Sequence, residues 1–208
     1  MGREKQTGTV RERLLRAADE LFYREGIHVV GIDRILAHAG VAKASLYGNF
    51  KSKDELVRAY LEDRSQWLKH RIEERISQSR GARERIVAAF DEFADRVAEA
   101  GSYHGCAFIR ACAEGGEEPS AAQEVSSAFR LWRRELFTRL AEEGGLQNAE
   151  DLSRRLCLIY DGAAVAVAMD CDPAAAVAAR GIVEQLLDSY QPKEGNDHDP
   201  GKQGQAIR

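Results

Sequence analysis

Lys43, Tyr47, Lys51 and Lys53 fall close together in the chain, with the small residues Ala44 and Ser45 among them. Ammonium and phenol groups at this spacing suit phosphate oxygens, and small side chains let a helix approach base edges closely. The chemistry implied is docking onto nucleic acid, not bond breaking. Two blander readings stand beside it: lysines are usually solvated surface charges, and Tyr47 can pack on its own domain. A ring that packs while its hydroxyl stays wet satisfies both. Arg34 divides evenly between surface charge and phosphate contact, and His38 reads as structural or solvated.

No arrangement of groups suggests catalysis. The sequence lacks GxSxG, HExxH, GxxxxGK[ST] and GxGxxG. Its carboxylates fall where solvated helix faces put them. His104 with Cys106 is too thin a set for zinc. The expectation is a non-enzyme with no cofactor and no metal.

The basic residues need a scaffold. Residues 31–50 read GIDRILAHAGVAKASLYGNF, which is helix, tight glycine turn, helix. Ile32, Ile35, Leu36, Val41, Leu46 and Phe50 can face inward against a preceding helix. Two short helices at a sharp angle form a helix-turn-helix, whose second helix can enter a major groove. Lys43, Ala44, Ser45 and Tyr47 then lie on its outer or N-terminal side. Lys51 and Lys53 follow at the start of the next helix, where backbone N–H groups favour a phosphate.

Charge partition agrees with this reading. The chain has 208 residues and a formal net charge of −4. Residues 1–53 hold 10 Lys/Arg against 6 Asp/Glu, whereas residues 54–208 hold 20 against 28. A basic N-terminal quarter on an acidic body suggests two tasks in one chain.

Spacing of three and four residues recurs throughout and no period-two segment is visible, so the fold expected is all-α with about nine helices. The first spans about Val10 to Glu25, with Thr9 and Glu12 as a capping box and Gly26 as its stop. The next are placed at Ile32 to Ala39 and Lys43 to Asn49. A second capping box, Ser52 with Glu55, opens a long helix through Ile76. Five more follow: Ala82 to Ala100, Cys106 to Glu114, Ser120 to Glu143, Glu150 to Met169, and Pro173 to Tyr190. Gly115, Gly116 and Pro119 mark a break, and the polar segment from residue 191 reads as a disordered tail. The polar N-terminus does not resemble a secretory signal, and the apolar stretch Gly162 to Met169 is too short to cross a bilayer. Cys106, Cys112, Cys157 and Cys171 read as reduced, buried thiols of a cytoplasmic protein. A Cys106–Cys112 redox switch is the sharper alternative, and small buried hydrophobes the preferred one.

Residues 10–60 resemble the N-terminal domain of TetR-family transcriptional regulators. The matching features are A-x-x-L-F-x-x-x-G at the end of the first helix, I-x-x-x-A-G-V at the turn, and L-Y-x-x-F-x-S-K-x-E-L after it. The body's GCAFIRACAE stretch also resembles a segment from one branch of the family. The resemblance implies a three-helix helix-turn-helix DNA-binding domain at residues 1–53. It implies a helical effector-binding and dimerisation domain at 54–190, followed by the tail at 191–208. It further implies a homodimer on a palindromic double-stranded DNA operator, most often as a repressor released by a small-molecule effector.

Carried over residue by residue, Lys43 and Tyr47 match phosphate-contacting positions, Ala44 and Ser45 match base-approaching ones, and Lys53 matches a backbone contact. The sequence departs from the pattern at three places. Gly31 replaces a capping Thr, Ala42 replaces a capping Ser at a cost of about 1 kcal/mol, and Gly48-Asn49 replaces a frequent aromatic or histidine pair. Asn49, Arg3 and Lys5 are candidates to compensate. These losses motivate the alternative, a ligand-binding or assembly protein of the same fold that no longer reads an operator.

In the body, Trp67, Phe90, Phe93, Phe108, Phe129, Trp132 and Tyr160 have helical spacing suited to a core. Some of them, with Tyr103, can instead wall a cavity for a mostly apolar effector. Tyr103, His104 and Arg110 are candidates for its polar groups. The last two helices are rich in alanine, so two copies can pack closely about a two-fold axis. Leu156, Ile159, Ala163, Val167, Val177, Ile182 and Leu186 are the candidate interface, the alternative being a core within one chain.

Overall fold

The computed structural model describes residues 8–101, 103–114 and 120–190. Among them are nine α-helices: α1 Val10–Glu25, α2 Ile32–Ala39, α3 Lys43–Tyr47, α4 Lys53–Ser77, α5 Ala82–Glu99, α6 Ala107–Ala113, α7 Ala121–Glu143, α8 Ala149–Asp170 and α9 Ala174–Asp188. The all-α expectation is met, with boundaries within two residues of those read from sequence. Arg3, Lys5, the break at Gly115, Gly116 and Pro119, and the segment from residue 191 lie outside the described residues.

Local chemistry explains the helix ends. The Thr9 hydroxyl accepts from Glu12 N at 3.2 Å, and the Glu12 carboxylate accepts from Thr9 N at 3.0 Å. That is the expected capping box, and it satisfies two of the orphan donors of α1. The second box forms only by half. Ser52 Oγ accepts from Glu55 N at 3.1 Å, but Glu55 turns to the Lys51 N–H at 2.7 Å. The α3 helix ends two residues earlier than expected, because the Asn49 side-chain amide donates to the Ser45 carbonyl at 2.7 Å and closes it. Gly40 joins α2 to α3 in the left-handed region, at φ 62°. Gly26 ends α1 at φ 104°, and a Cβ there would sit 2.8 Å from Glu114 Oε1. The backbone at Gly26 requires glycine and that at Gly40 favours it.

One continuous apolar core runs from Leu14 to Leu187. The α4 helix takes part in it at both ends. Tyr60, on its first half, lies 5.5 Å from Phe22 of α1, and Ile76 is buried in its last turn, where the neighbouring Arg75 meets Asp95 of α5 at the surface, at 3.2 Å. The α7 helix packs between α4, α5, α6 and α8, and α9 lies against α5 and α8. Arg180 of α9 ties to Asp91 of α5 at 2.6 Å. No described helix is long and apolar enough to cross a membrane.

Candidate DNA-reading surface and effector cleft

The reading head is built from the inside outward. Leu14, Ala17, Ala18, Leu21 and Phe22 of α1 form its floor, Ile35, Leu36 and Ala39 of α2 its wall. The α3 helix has one buried side chain, Leu46, with Phe50 just beyond it. A five-residue helix has no independent stability, so its pose comes from those two anchors and from the turn before it. Arg13 of α1 fixes that turn, donating from Nε and Nη2 to the Ala39 carbonyl at 3.1 and 2.6 Å and from Nη2 to Gly40 at 2.6 Å. Sequence reasoning missed Arg13, which looks like any basic residue on an amphipathic helix.

The face that α3 turns outward carries Lys43, Ala44 and Tyr47, all exposed, with Ser45 half-buried. Tyr47 keeps 51% of its surface free although its neighbour Leu46 is fully buried. Lys43 Nζ lies 3.5 Å from Asp33, with both side chains largely in water. Such a pair contributes little and exchanges readily for another anion. Lys51 is exposed at the entrance to α4.

Three expected contact residues are turned to partners within the chain. Arg34 makes a two-pronged ion pair with Glu25, one prong at 2.7 Å, and so staples α2 to α1. The Asn49 amide closes α3, as described above. Lys53 is half-buried, its ammonium 6.0 Å over the Phe22 ring. Burial lowers the Lys53 pKa from the usual lysine value, with Glu114 pulling the other way. Asp54 and Glu55 also occupy the first turn of α4, where they compete with a phosphate for the helix N-terminus. Neither Gly31 nor Ala42 has a side-chain cap bond. His38 meets Glu20 at 2.6 Å, a structural role.

Aromatic residues of the body divide into two groups. Phe90 and Phe93 are fully buried, Phe90 stacked 5.8 Å from Phe137 and Phe93 4.9 Å from Tyr160. They belong to the core and leave the set of cavity walls. Trp132 lies on the outer side, stacked on Phe129 at 5.6 Å and covered by Lys69 at 5.1 Å. Trp67, Tyr103, Phe108, Phe129 and Tyr160 do converge, around a narrow cleft with about 20 Å³ of free space. That holds about one water. Beside it, sharing Cys106, Phe108, Phe129 and Arg133, lies a wider chamber of about 280 Å³.

Of the three polar groups expected here, Tyr103 lines the cleft and the other two do not. His104 and Arg110 turn to α1: the His104 N–H donates to Tyr23 Oη at 3.3 Å, and Arg110 Nη1 donates to the Tyr23 carbonyl at 2.5 Å. Beside Tyr103, the groups that line it are Arg64, Arg96 and Arg133, with Tyr23 and Tyr160. Burial works to lower the Arg96 pKa, but the surrounding Tyr160, Glu92 and Tyr103 outweigh it and hold the value above the ordinary arginine range. Burial pushes the Tyr160 phenol up, against the pull of Arg96. Sequence periodicity cannot flag such arginines, since each sits on a helix with many solvated ones.

Further ties join head and body. The His28 N–H donates to Glu114 at 2.8 Å and Asp19 of α1 pairs with Arg64, while Arg58 of α4 meets Glu124 of α7 at 2.6 Å within the body. Of the cysteines only Cys157 is buried; Cys112 and Cys171 are exposed and Cys106 half-buried, all four free. The expectation of four buried thiols therefore fails at Cys112 and Cys171, which sit at or just beyond helix ends. Among the described residues no group of three or more potential metal ligands occurs.

An apolar stripe is left on the surface of the last two helices. Leu158, Val165 and Met169 of α8, with Val177 and Ile182 of α9, are exposed by 40 to 78%. Leu156, Ala163 and Val167, expected there, are instead buried in the subunit's own core. The stripe is rotated by about half a turn on α8 from those positions, since residues two apart lie some 200° around a helix. Ile159 and Leu186 are half-buried at its border.

Comparison with known proteins places this architecture. Residues 14–60 match the family described as bacterial regulatory proteins, tetR family. The chain is 30% identical over 137 residues to the HTH-type transcriptional activator FasR of Mycolicibacterium smegmatis, a match that covers 66% of this chain and 61% of FasR. It is 30% identical over 141 residues to the HTH-type transcriptional repressor NemR of Escherichia coli, covering 66% of this chain and 69% of NemR. A solved TetR-family transcriptional regulator from Streptomyces coelicolor superposes with a TM-score of 0.79 at 33% identity, over 86% of this chain and 94% of that one. A head of three helices closed by Arg13, carried on a long fourth helix and a helical body, thus coincides with sequence kinship in both parts, and the chain belongs to the TetR family of transcriptional regulators.

Proposed function

We propose that this regulator is a homodimeric, operator-binding repressor that a small-molecule effector releases from DNA, acting in the cytoplasm without catalytic chemistry. The observation that carries the reading is the outward face of α3. It presents a lysine, two small residues and a half-exposed tyrosine on a helix held only from behind. Set into a major groove, Ala44 and Ser45 approach base edges while Lys43, Tyr47 and Lys51 hold phosphates and fix register. The apolar stripe supports pairing. Leu158, Val165, Met169, Val177 and Ile182 on two copies make a two-fold four-helix contact, and a symmetric dimer calls for a palindromic site. Ile159 and Leu186 form its edge. Effector response is supported by the aromatic cleft between α4, α5, α6 and α7, which adjoins the ties to Asp19 and Tyr23. FasR is named an activator and NemR a repressor, so a reporter assay decides the sign.

Selection from a random double-stranded DNA pool, run beside Tyr47→Ala, tests the reading. Enrichment of a two-fold-symmetric site by the parent and not by the variant is expected. A second reading draws on the inward turn of Arg34, Asn49 and Lys53 and the uncapped Gly31 and Ala42: a ligand-binding or assembly protein of this fold without an operator. A folded dimer that enriches no sequence at low salt makes that second reading the leading one.

A further inference from the structure

We propose that the inner end of the cleft is an anion site, and that the effector carries an oxyanion head, such as a carboxylate or sulfonate, on an apolar body. This rests on the effector reading above and gives it a chemical class. Arg64 of α4, Arg96 of α5 and Arg133 of α7 converge on the cleft, and no carboxylate is among the residues that line it. Their acid partners are Asp19 for Arg64, Glu92 for Arg96 and, for Arg133, Asp161, which faces the wider chamber next to the cleft.

Two of those acids are shared. Glu92 also takes Arg71, at 2.8 Å, and Asp161 also takes Arg130, at 3.0 Å. Arg71 has Glu99 as well, at 3.0 Å, so five arginines share four carboxylates and the cluster around the cleft carries one positive charge in excess. The Arg133 side chain is only 3% exposed. Buried cations are costly unless compensated, and an anion in the cleft supplies compensation. Arg96 Nε, 3.4 Å from Glu92 but not aligned to donate, and Arg133 Nε are buried without a hydrogen-bond acceptor, as Glu92 Oε2 and Asp161 Oδ2 are without a donor, so the ion pairs leave two guanidinium N–H groups unspent. Planar guanidinium groups favour a two-oxygen anion.

The wider chamber suits the rest of the ligand. Phe108, Ile109 and Phe129 give it apolar walls and Arg130 with Asp161 a charged edge, and it meets the arginine end at Arg133. The free space at the inner end is the size of one water, so a head group enters by displacing side chains. Arg64 is the member that links the site to the reading head. Its guanidinium lies 3.8 Å over the Tyr23 ring and pairs with Asp19, both on α1. An anion that draws Arg64 inward competes with that tie.

The test uses two dyes on the full-length protein, 8-anilinonaphthalene-1-sulfonate and N-phenyl-1-naphthylamine, which share their rings and differ in the sulfonate. Fluorescence titration is expected to show the sulfonate bound roughly tenfold or more tighter. Arg96→Gln and Arg133→Gln should each abolish that preference and leave the uncharged dye unaffected, whereas Arg75→Gln, on the outer surface, should change neither. Where Arg133→Gln fails to fold, Arg133→Lys keeps the charge but loses the planar fork, and must still weaken the sulfonate. Equal affinity for both dyes overturns the anion site and leaves an apolar effector cleft standing. A sulfonate preference that survives every arginine change places the anion elsewhere and also overturns it. Failure of both dyes to bind removes the effector reading together with this one.

Discussion

The Arg13 guanidinium straddles the Ala39 carbonyl, reaching it from Nε at 3.1 Å and Nη2 at 2.6 Å, across the turn of the helix-turn-helix. Carbonyls at the end of α2 have no intrahelical donor, and this fork supplies one from a third helix. Arg13→Ala should lower stability by about 1–2 kcal/mol, the range for a charged hydrogen bond at a partly exposed site. Arg13→Lys should recover little, because an ammonium cannot span both carbonyls. Urea unfolding reads both variants, and a lysine variant as stable as the parent removes the fork argument.

Salt dependence of operator binding separates the lysines. Each phosphate neutralised contributes about 0.9 to the log–log slope. Lys43→Ala should flatten the slope by about that amount. Lys53→Ala should change it much less, because its ammonium lies over Phe22 and faces Glu114. Equal loss from both would mean that Lys53 swings outward on DNA.

Two leucines on the same helix should give opposite phenotypes. Leu158 is 64% exposed and Leu156 fully buried. Leu158→Glu should split the dimer in analytical ultracentrifugation while leaving the helical signal of each subunit intact. Leu156→Ala should cost about 2–5 kcal/mol through the cavity it leaves, with the dimer still assembling below the melting transition. A dimer indifferent to Leu158→Glu refutes pairing through this stripe.

Alkaline titration should expose the body's polar interior. Tyr60, Tyr103 and Tyr160 have pKa values raised, chiefly by burial, above the usual tyrosine value. A raised folded value means that the native state retains a proton which the unfolded chain releases near pH 10. The stability these groups contribute is present below pH 10 and falls as pH rises above it. Absorbance at about 295 nm, the tyrosinate band, should show these three ionising together with unfolding. Early, independent ionisation of all six tyrosines would contradict their burial.

Much of the fold was legible because local signals and global packing agree. Thr9 with Glu12 marked the start of α1, and the glycine at position 40 marked the turn. The outward set Lys43, Ala44, Ser45 and Tyr47 followed from periodicity alone. Partner choice was not legible. Arg34, Asn49 and Lys53 have the types and spacing of phosphate ligands, yet Glu25, the Ser45 carbonyl and Glu114 lie nearer. The exposed stripe on α8 was misplaced to Leu156, Ala163 and Val167, because an alanine-rich helix is apolar on nearly every side and composition does not say which side faces a partner. Arg64, Arg96 and Arg133 escaped for the opposite reason, since charge suggests solvent until tertiary packing closes over it.

The length of α4 has a mechanical consequence. Its 25 residues span about 37 Å, with Tyr60 bedded against α1 near one end and Arg75 pinned to α5 at the other. A rod held in this way is a lever. Tilting it by about 5° at the body end carries the head through about 3 Å, close to the rise of one base pair. Arg64 lies about 20 Å from the body end of that rod, so a shift of about 1.7 Å beside it is roughly doubled by the time it reaches the head.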